Sequence, residues 1–249
     1  MQTKNFNVYI QENQAVQDAY AMLTANIHVN SDKEPLKTIT LTSYQTGVGK
    51  TTLAINLAIT MADSGWRVLL IDTDIRRPVA AKRLNKNTVL GLTDCLAGKS
   101  ELKDIICTTN VKKFDYISCG DNHPNPIGLL CSAKFKELLE EVKSQYDFVL
   151  FDTPALASVA DATIVASKCD TSLIVAEMGN TKLATIKRAK ELLEKANANI
   201  LGVVLNKVKR RDYKKYFEAY NYFFDKKKFN DIKNSKVVET KLKLDTLKI

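Results

Sequence analysis

Three short stretches carry the residue types needed to hold a phosphate chain and a divalent metal. The first is "YQTGVGKTT" at 44–52. Gly47 and Gly49 allow the backbone to curl until successive N–H groups face an anion. Lys50 offers a cation to β- and γ-phosphates, and the Thr51 hydroxyl is a hard oxygen suited to Mg²⁺. The nucleotide-binding candidates are therefore Thr46, Gly47, Val48, Gly49, Lys50, Thr51 and Thr52. The usual pattern opens with a glycine six residues before the lysine, where this chain has Tyr44, so the match is incomplete.

The second stretch, "LLIDTDIRRP" (69–78), holds Asp72 and Asp74. The third, "FVLFDTP" (148–154), holds Asp152. Asp72 and Asp74 are two apart and share a face if a strand runs on through them. Mg²⁺ takes a few hard oxygens besides water and phosphate. Asp152 beside Thr51 is the expected metal carboxylate, with Asp74 assisting. Asp72 is expected to orient a nucleophile or accept its proton. The catalytic candidates are thus Lys50, Asp72 and Asp74. A lone strand-end aspartate also serves as a turn or helix cap, an alternative that weighs most on Asp74. Arg76 and Arg77 fit a phosphate, a neighbouring subunit or a surface ion pair equally well. Asn206 is a candidate for the nucleotide's base edge through its amide, or a turn former.

The elements around these stretches must bring them together. "TITLTS" (38–43), "RVLLID" (67–72), "DFVLFD" (147–152), "SLIVAE" (172–177) and "ILGVVLN" (200–206) are apolar runs of strand length. Most lack alternation, as expected of strands covered on both faces. Residues 12–29, 51–65, 132–145 and 181–197 have helical spacing. Strands alternating with helices imply an α/β fold, a mostly parallel sheet with helices on both faces. Ligands bind beyond the carboxyl ends of such strands, so the three carboxylates should converge on the glycine loop.

The 249 residues suit one large domain. No apolar run approaches the ~18–20 residues of a membrane span, and the first residues lack signal-peptide order. The five cysteines form no C-x-x-C pair, which reads as reduced thiols. A cytoplasmic location is expected. The charge is uneven: residues 207–249 hold 14 Lys/Arg against 6 Asp/Glu. Such a tail attracts anionic surfaces or is merely solvated. Within it lies "YKKYFEAYNY" (213–222), with four of the nine tyrosines. On spacing alone Tyr213, Tyr216, Phe217 and Tyr220 form an apolar stripe on a helix.

The glycine loop, the aspartate pair and the third aspartate, in this order and separation, resemble the bacterial tyrosine kinases of capsule and exopolysaccharide synthesis. The resemblance spans roughly residues 12–224 and includes "GLTDCLAG" (91–98), "PNPIGLL" (124–130) and "SVADATIVASKCD" (158–170). It implies a P-loop NTPase-like kinase domain over 1–224 and a basic tail, 225–249, expected to be poorly ordered. It further implies ATP and Mg²⁺ as cofactors. Tyr213, Tyr216, Tyr220 and Tyr222 become autophosphorylation acceptors presented to an adjacent subunit. The implied partners are a membrane-bound polysaccharide chain-length regulator that activates the kinase, a second copy of the chain, and a phosphotyrosine phosphatase, with no nucleic acid. The regulator would hold the chain at the inner face of the cell membrane. Family members often carry a Glu and two Arg spaced three apart on an N-terminal helix for ring assembly. Here those positions are Asp18, Ala21 and Thr24.

Two other readings compete. One is a dimeric P-loop ATPase switch of the kind that positions septa or partitions plasmids. Such proteins share the sheet and the aspartate at Asp72, but they carry an early lysine in the loop, where this chain has Gln45. The other is a nucleotide-binding interaction module with little chemistry.

Overall fold

Three strands at the middle of the sheet, Thr38–Thr42, Val68–Asp72 and Phe148–Asp152, are buried at every position. Their unbroken apolar character follows from helices lying on both faces. A computed structural model describes residues 5–10, 12–31, 36–76 and 90–209. The chain order is β1 (Asn5–Phe6), α1 (Gln14–Ser31), β2 (Thr38–Thr42), α2 (Lys50–Asp63) and β3 (Val68–Asp72). Then come α3 (Leu92–Leu96), α4 (Leu102–Ile105), β4 (Ile106–Thr109), β5 (Phe114–Ile117), α5 (Pro126–Leu130) and α6 (Ala133–Gln145). Last are β6 (Phe148–Asp152), α7 (Asp161–Ala166), β7 (Thr171–Glu177), α8 (Leu183–Lys195) and β8 (Ile200–Asn206). All five expected strands and all four expected helices are present. The short β1, β4 and β5 and the short helices α3, α4, α5 and α7 are additions.

Among the described residues the strands form one sheet in the order β1-β4-β5-β3-β6-β2-β7-β8. Every pairing is parallel except β4 with β5. β6 arrives late in the chain yet sits between β2 and β3, so the chain from β2 through α2 to β3 spans it. Leu41 stands opposite Asp152, and Asp152 opposite Asp72. Neighbouring strands lie about 4.8 Å apart, so the β2, β6 and β3 ends fall within roughly 10 Å.

The two faces bury separate clusters. On one side Leu53, Leu57 and Met61 of α2 join Ile27 of α1 and Phe114, Tyr116 and Phe148 of the sheet. On the other, Phe135, Leu138, Leu139 and Val142 of α6 cover Val149 and Phe151. Those four follow i, i+3, i+4, i+7 spacing, one stripe of a helix. The Ser132 hydroxyl starts that helix by accepting the Phe135 N–H at 3.2 Å.

Asp170, just before β7, ties three elements together. Its Oδ2 accepts the N–H groups of Lys37 and Thr38 at 2.9 and 2.8 Å, and its Oδ1 accepts Lys143 Nζ of α6 at 2.8 Å. Burial pushes its carboxyl up, but Lys143 and Thr38 outweigh burial and leave it below the ordinary aspartate range. A depressed carboxylate stabilises the fold above its unfolded pKa, and that stability is lost as pH falls through the lower folded value. Asp170→Asn should therefore cost about 1–3 kcal/mol at pH 7, measured by urea unfolding. The gap should narrow as pH falls from about 5 towards 3. A gap that ignores pH would remove the carboxylate charge as its cause.

Candidate active site

The loop after β2 is built on two left-handed glycines, Gly47 at φ 78° and Gly49 at φ 91°. Gly49 has a second reason to lack a side chain: a Cβ there would lie 2.5 Å from the Asn206 amide nitrogen. Tyr44, where the usual pattern has glycine, is not among the residues with positive φ. Its ring packs against a side cluster with Leu156 and Leu192, and its carbonyl accepts the Ala157 N–H at 3.1 Å. No glycine is needed at that position, which explains the incomplete motif. Val48 is buried and fixes the loop's crest, while Thr46, Thr51 and Thr52 are exposed beside it.

Lys50 opens α2 and turns back to the strand end, where its Nζ donates to Ser43 Oγ at 3.1 Å. Burial holds its ammonium below the usual lysine range, opposed by Asp152 and Asp74. Asp152 is almost wholly buried. One of its oxygens, Oδ1, has no hydrogen-bond partner, while the carboxylate interacts with the Thr51 hydroxyl and with Lys50. An orphaned buried carboxylate oxygen beside a threonine hydroxyl fits a Mg²⁺ shared with phosphate oxygens. Among the described residues no group of three or more His, Cys, Asp or Glu is set to hold a metal alone. A shared site requires none.

Asp72 is also buried. Its Oδ1 accepts the Asp74 N–H at 2.9 Å, and Tyr116 Oη lies 3.5 Å from Oδ2. β3 ends at Asp72, as its apolar run implied, so the condition under which Asp72 and Asp74 would share a strand face is not met. The chain turns there, because Asp72 captures the amide two residues on. Asp74 still acts electrostatically on Lys50, Asp72 and Asp152. Arg76, left open between phosphate, subunit contact and ion pair, forms a two-pronged ion pair with the fully buried Asp161 at 2.8 and 3.1 Å. That pair fixes the segment bearing Asp74 to the start of α7. Arg77 and the four tyrosines Tyr213, Tyr216, Tyr220 and Tyr222 lie outside the described residues.

Asn206 reaches back to the glycine loop. Its Nδ2 donates to the Val48 carbonyl at 2.9 Å. Lys207, which no motif singles out, donates to the Gly47 carbonyl at 2.7 Å and pairs with Glu177 at 3.1 Å. Ser43, Tyr116, Asp161 and Lys207 were all missed. Each is one polar residue in ordinary surroundings, and only the folded register shows what it touches. A cleft of about 510 Å³ flanks the loop on its β7 side, lined by Gln45, Thr46, Ser158, Asn180 and Thr181 among others. The carboxylates lie on the other side, towards β3.

Asp72 and Asp152 are neighbours across two parallel strands. Burial pushes both carboxyls above the ordinary range, and Asp74 adds repulsion at each, with Asp152 adding more at Asp72. A raised carboxyl stabilises the fold below its unfolded pKa of ~3.9, and that contribution is lost as pH rises through the folded value. Asp72→Asn and Asp152→Asn should therefore each raise the melting temperature of the nucleotide-free protein. The expected gain is roughly 2–4 °C per kcal/mol, growing as pH rises from 5 to 8. Destabilisation by either change at pH 8 would contradict the charge argument.

Residues 36–201 match the profile of the family described as "AAA domain". The chain is 39% identical over 173 residues to the tyrosine-protein kinase CpsD of Streptococcus agalactiae, covering 69% of this chain and 76% of that one. Its fold is similar to the kinase domain of the Escherichia coli tyrosine kinase ETK. The TM-score is 0.74 at 33% identity, over 78% of this chain and 76% of the other. The likeness is weaker to the septum site-determining protein MinD of Pyrococcus horikoshii, solved with Mg-ADP: TM-score 0.58 at 26% identity, over 76% and 78% of the two chains.

Proposed function

The chain belongs to the family of bacterial tyrosine-protein kinases, and we propose that it transfers the γ-phosphoryl group of ATP to tyrosines of its own C-terminal region. The observation that carries this reading is the pair of in-register carboxylates, Asp72 and Asp152, beside the glycine loop and Lys50. An ATPase switch would share the aspartate at Asp72, but it would carry an early lysine where this chain has Gln45. A second buried carboxylate with raised proton affinity, one strand further along, suits removal of a proton from an acceptor hydroxyl.

The roles divide as follows. The loop amides and Lys50 hold the phosphate chain, and Thr51 and Asp152 hold Mg²⁺ with Asp74 assisting. When bound, the metal neutralises charge that develops on the β- and γ-oxygens. Asp72 takes the phenolic proton, the phenol oxygen bonds to the γ-phosphorus, and the bond from that phosphorus to the β–γ bridging oxygen breaks, leaving ADP. A phenol of pKa ~10 is protonated at neutral pH, so an aspartate whose affinity for protons is raised is a better match than an ordinary one.

The proposed acceptors are Tyr213, Tyr216, Tyr220 and Tyr222, presented to an adjacent subunit. Each phosphate adds about −1.5 to −2 charges, so four would roughly cancel the tail's surplus of positive charge. In this reading the chain regulates capsular or extracellular polysaccharide synthesis and export. A cytoplasmic segment of a membrane-bound chain-length regulator activates it at the inner membrane face, and a phosphotyrosine phosphatase resets it. Among the described residues no helix is long and apolar enough to cross a membrane.

Lys50→Met should lower phosphotyrosine formed with Mg-ATP and a family activator segment by roughly 100-fold or more, at an unchanged circular dichroism spectrum. Asp72→Asn should lower the transfer rate about 10²–10⁴-fold while ATP binding persists. Tyrosine phosphorylation by Lys50→Met at the wild-type rate would remove this loop from the chemistry. ATP hydrolysis by the wild type with no phosphotyrosine would favour an ATPase switch of the MinD kind.

A further inference from the structure

The loop between β2 and α2 is held from the side by the end of β8. Lys207 Nζ donates to the Gly47 carbonyl at 2.7 Å, and Asn206 Nδ2 donates to the Val48 carbonyl at 2.9 Å, with the Gly49 carbonyl at 3.5 Å. A trans peptide sets its C=O and N–H on opposite sides, and no peptide among the described residues is cis. Two consecutive carbonyls drawn towards β8 therefore turn the next two amides, Val48 N–H and Gly49 N–H, away from β8. With Gly47 and Gly49 both left-handed, the result is a run of amides of the kind that forms an anion-binding concavity.

The holding residues are themselves fixed. Lys207 sits at φ 56°, in the left-handed region that side chains rarely adopt, and such a residue persists where its surroundings over-determine it. The Asn206 carbonyl accepts the Met178 N–H at 3.0 Å. The Glu177 carboxylate pairs with Lys207 Nζ at 3.1 Å and accepts Asn180 Nδ2 at 3.1 Å, while the Glu177 N–H donates to Thr181 Oγ1 at 2.9 Å. The turn after β7 thus sets Glu177, Glu177 sets Lys207, and Lys207 sets the loop.

We infer that Asn206 and Lys207 are positioning residues that preset the phosphate-binding amides through two loop carbonyls. This rests on the nucleotide-binding reading of the loop but not on phosphotransfer. The two roles for Asn206 separate cleanly with a ligand that has no base. A base reader matters to ATP alone, whereas a residue that shapes the amides matters equally to ATP and to inorganic tripolyphosphate.

The test is calorimetric titration of the full chain with Mg-ATP and with Mg-tripolyphosphate. Asn206→Leu keeps about the same size and removes the donor without adding a charge, and Lys207→Met keeps the stem and removes the charge. Each should weaken both ligands by the same factor, on the order of tenfold for Lys207→Met, which removes a charge-assisted hydrogen bond, and less for the Asn206 variant, which removes a neutral one. Lys207→Arg should restore most of the affinity. In the kinase assay the KM for ATP should rise by that factor with kcat changed less than about twofold. Glu177→Gln, which leaves both donors in place, should give a smaller loss, equal for the two ligands, and guards against misfolding of the others. Loss confined to ATP would overturn the inference in favour of base recognition, and unchanged affinity for both ligands would overturn it outright. Wild type that binds neither ligand would remove the phosphate site and this inference with it. The expected binding pattern in a chain that transfers no phosphate would support this inference and sink the kinase reading alone.

Discussion

Everything at the site depends on the parallel register of β6 between β2 and β3. That register sets Leu41, Asp152 and Asp72 side by side. The loop after β2, the carboxylate of β6 and the carboxylate of β3 then occupy consecutive steps of one sheet edge. A slip of one residue in β6 would turn Asp152 to the opposite face and separate it from Thr51 and Lys50. The backbone guards against it: the Asp152 carbonyl accepts both the N–H and the hydroxyl of Thr73, at 2.9 and 2.7 Å, and the Thr153 N–H reaches the Leu41 carbonyl at 3.3 Å. The burial of both strands on both faces enforces the same register.

The cost of this arrangement is electrostatic. Two buried carboxylates lie on adjacent strands with Asp74 close by, and the Lys50 ammonium partly neutralises Asp152 and Asp74. Fold stability alone would favour apolar side chains at those positions. Their presence, with one Asp152 oxygen left without a partner, points to cations and donors that come with a ligand. The neighbouring devices are stiff by contrast. The Arg76–Asp161 pair pins the segment after Asp74, and the end of β8 pins the glycine loop.

Much of this was legible in the sequence, for a physical reason. Buried parallel strands must be continuously apolar, so β2, β3, β6 and β7 stood out. β8 stood out by its apolar run although it lies partly exposed at the sheet edge. The candidate aspartates lay at or just past the carboxyl ends where the fold places ligands. β4 and β5 did not stand out. They have four residues each, and their register is set by long-range pairing. The end of β3 at Asp72 was read correctly, but whether the chain ran on as strand to Asp74 stayed open, because an aspartate that captures a nearby amide ends a strand without any glycine or proline to mark it. Lys207 was invisible because one lysine after a strand has no pattern, and its role exists only once the glycine loop lies beside it. The tyrosine cluster was legible as a motif, and its placement lies outside the described residues.

The central claim is a division of labour between the paired carboxylates: Asp152 serves the metal and Asp72 the acceptor proton. Its most direct test is electron paramagnetic resonance with Mn²⁺ standing in for Mg²⁺, titrated into the full chain with ADP. The account predicts one Mn²⁺ per chain that requires ADP, weakened about tenfold or more in Asp152→Asn and retained in Asp72→Asn. Mn²⁺ held as tightly by Asp152→Asn as by wild type, or lost in Asp72→Asn, would contradict it.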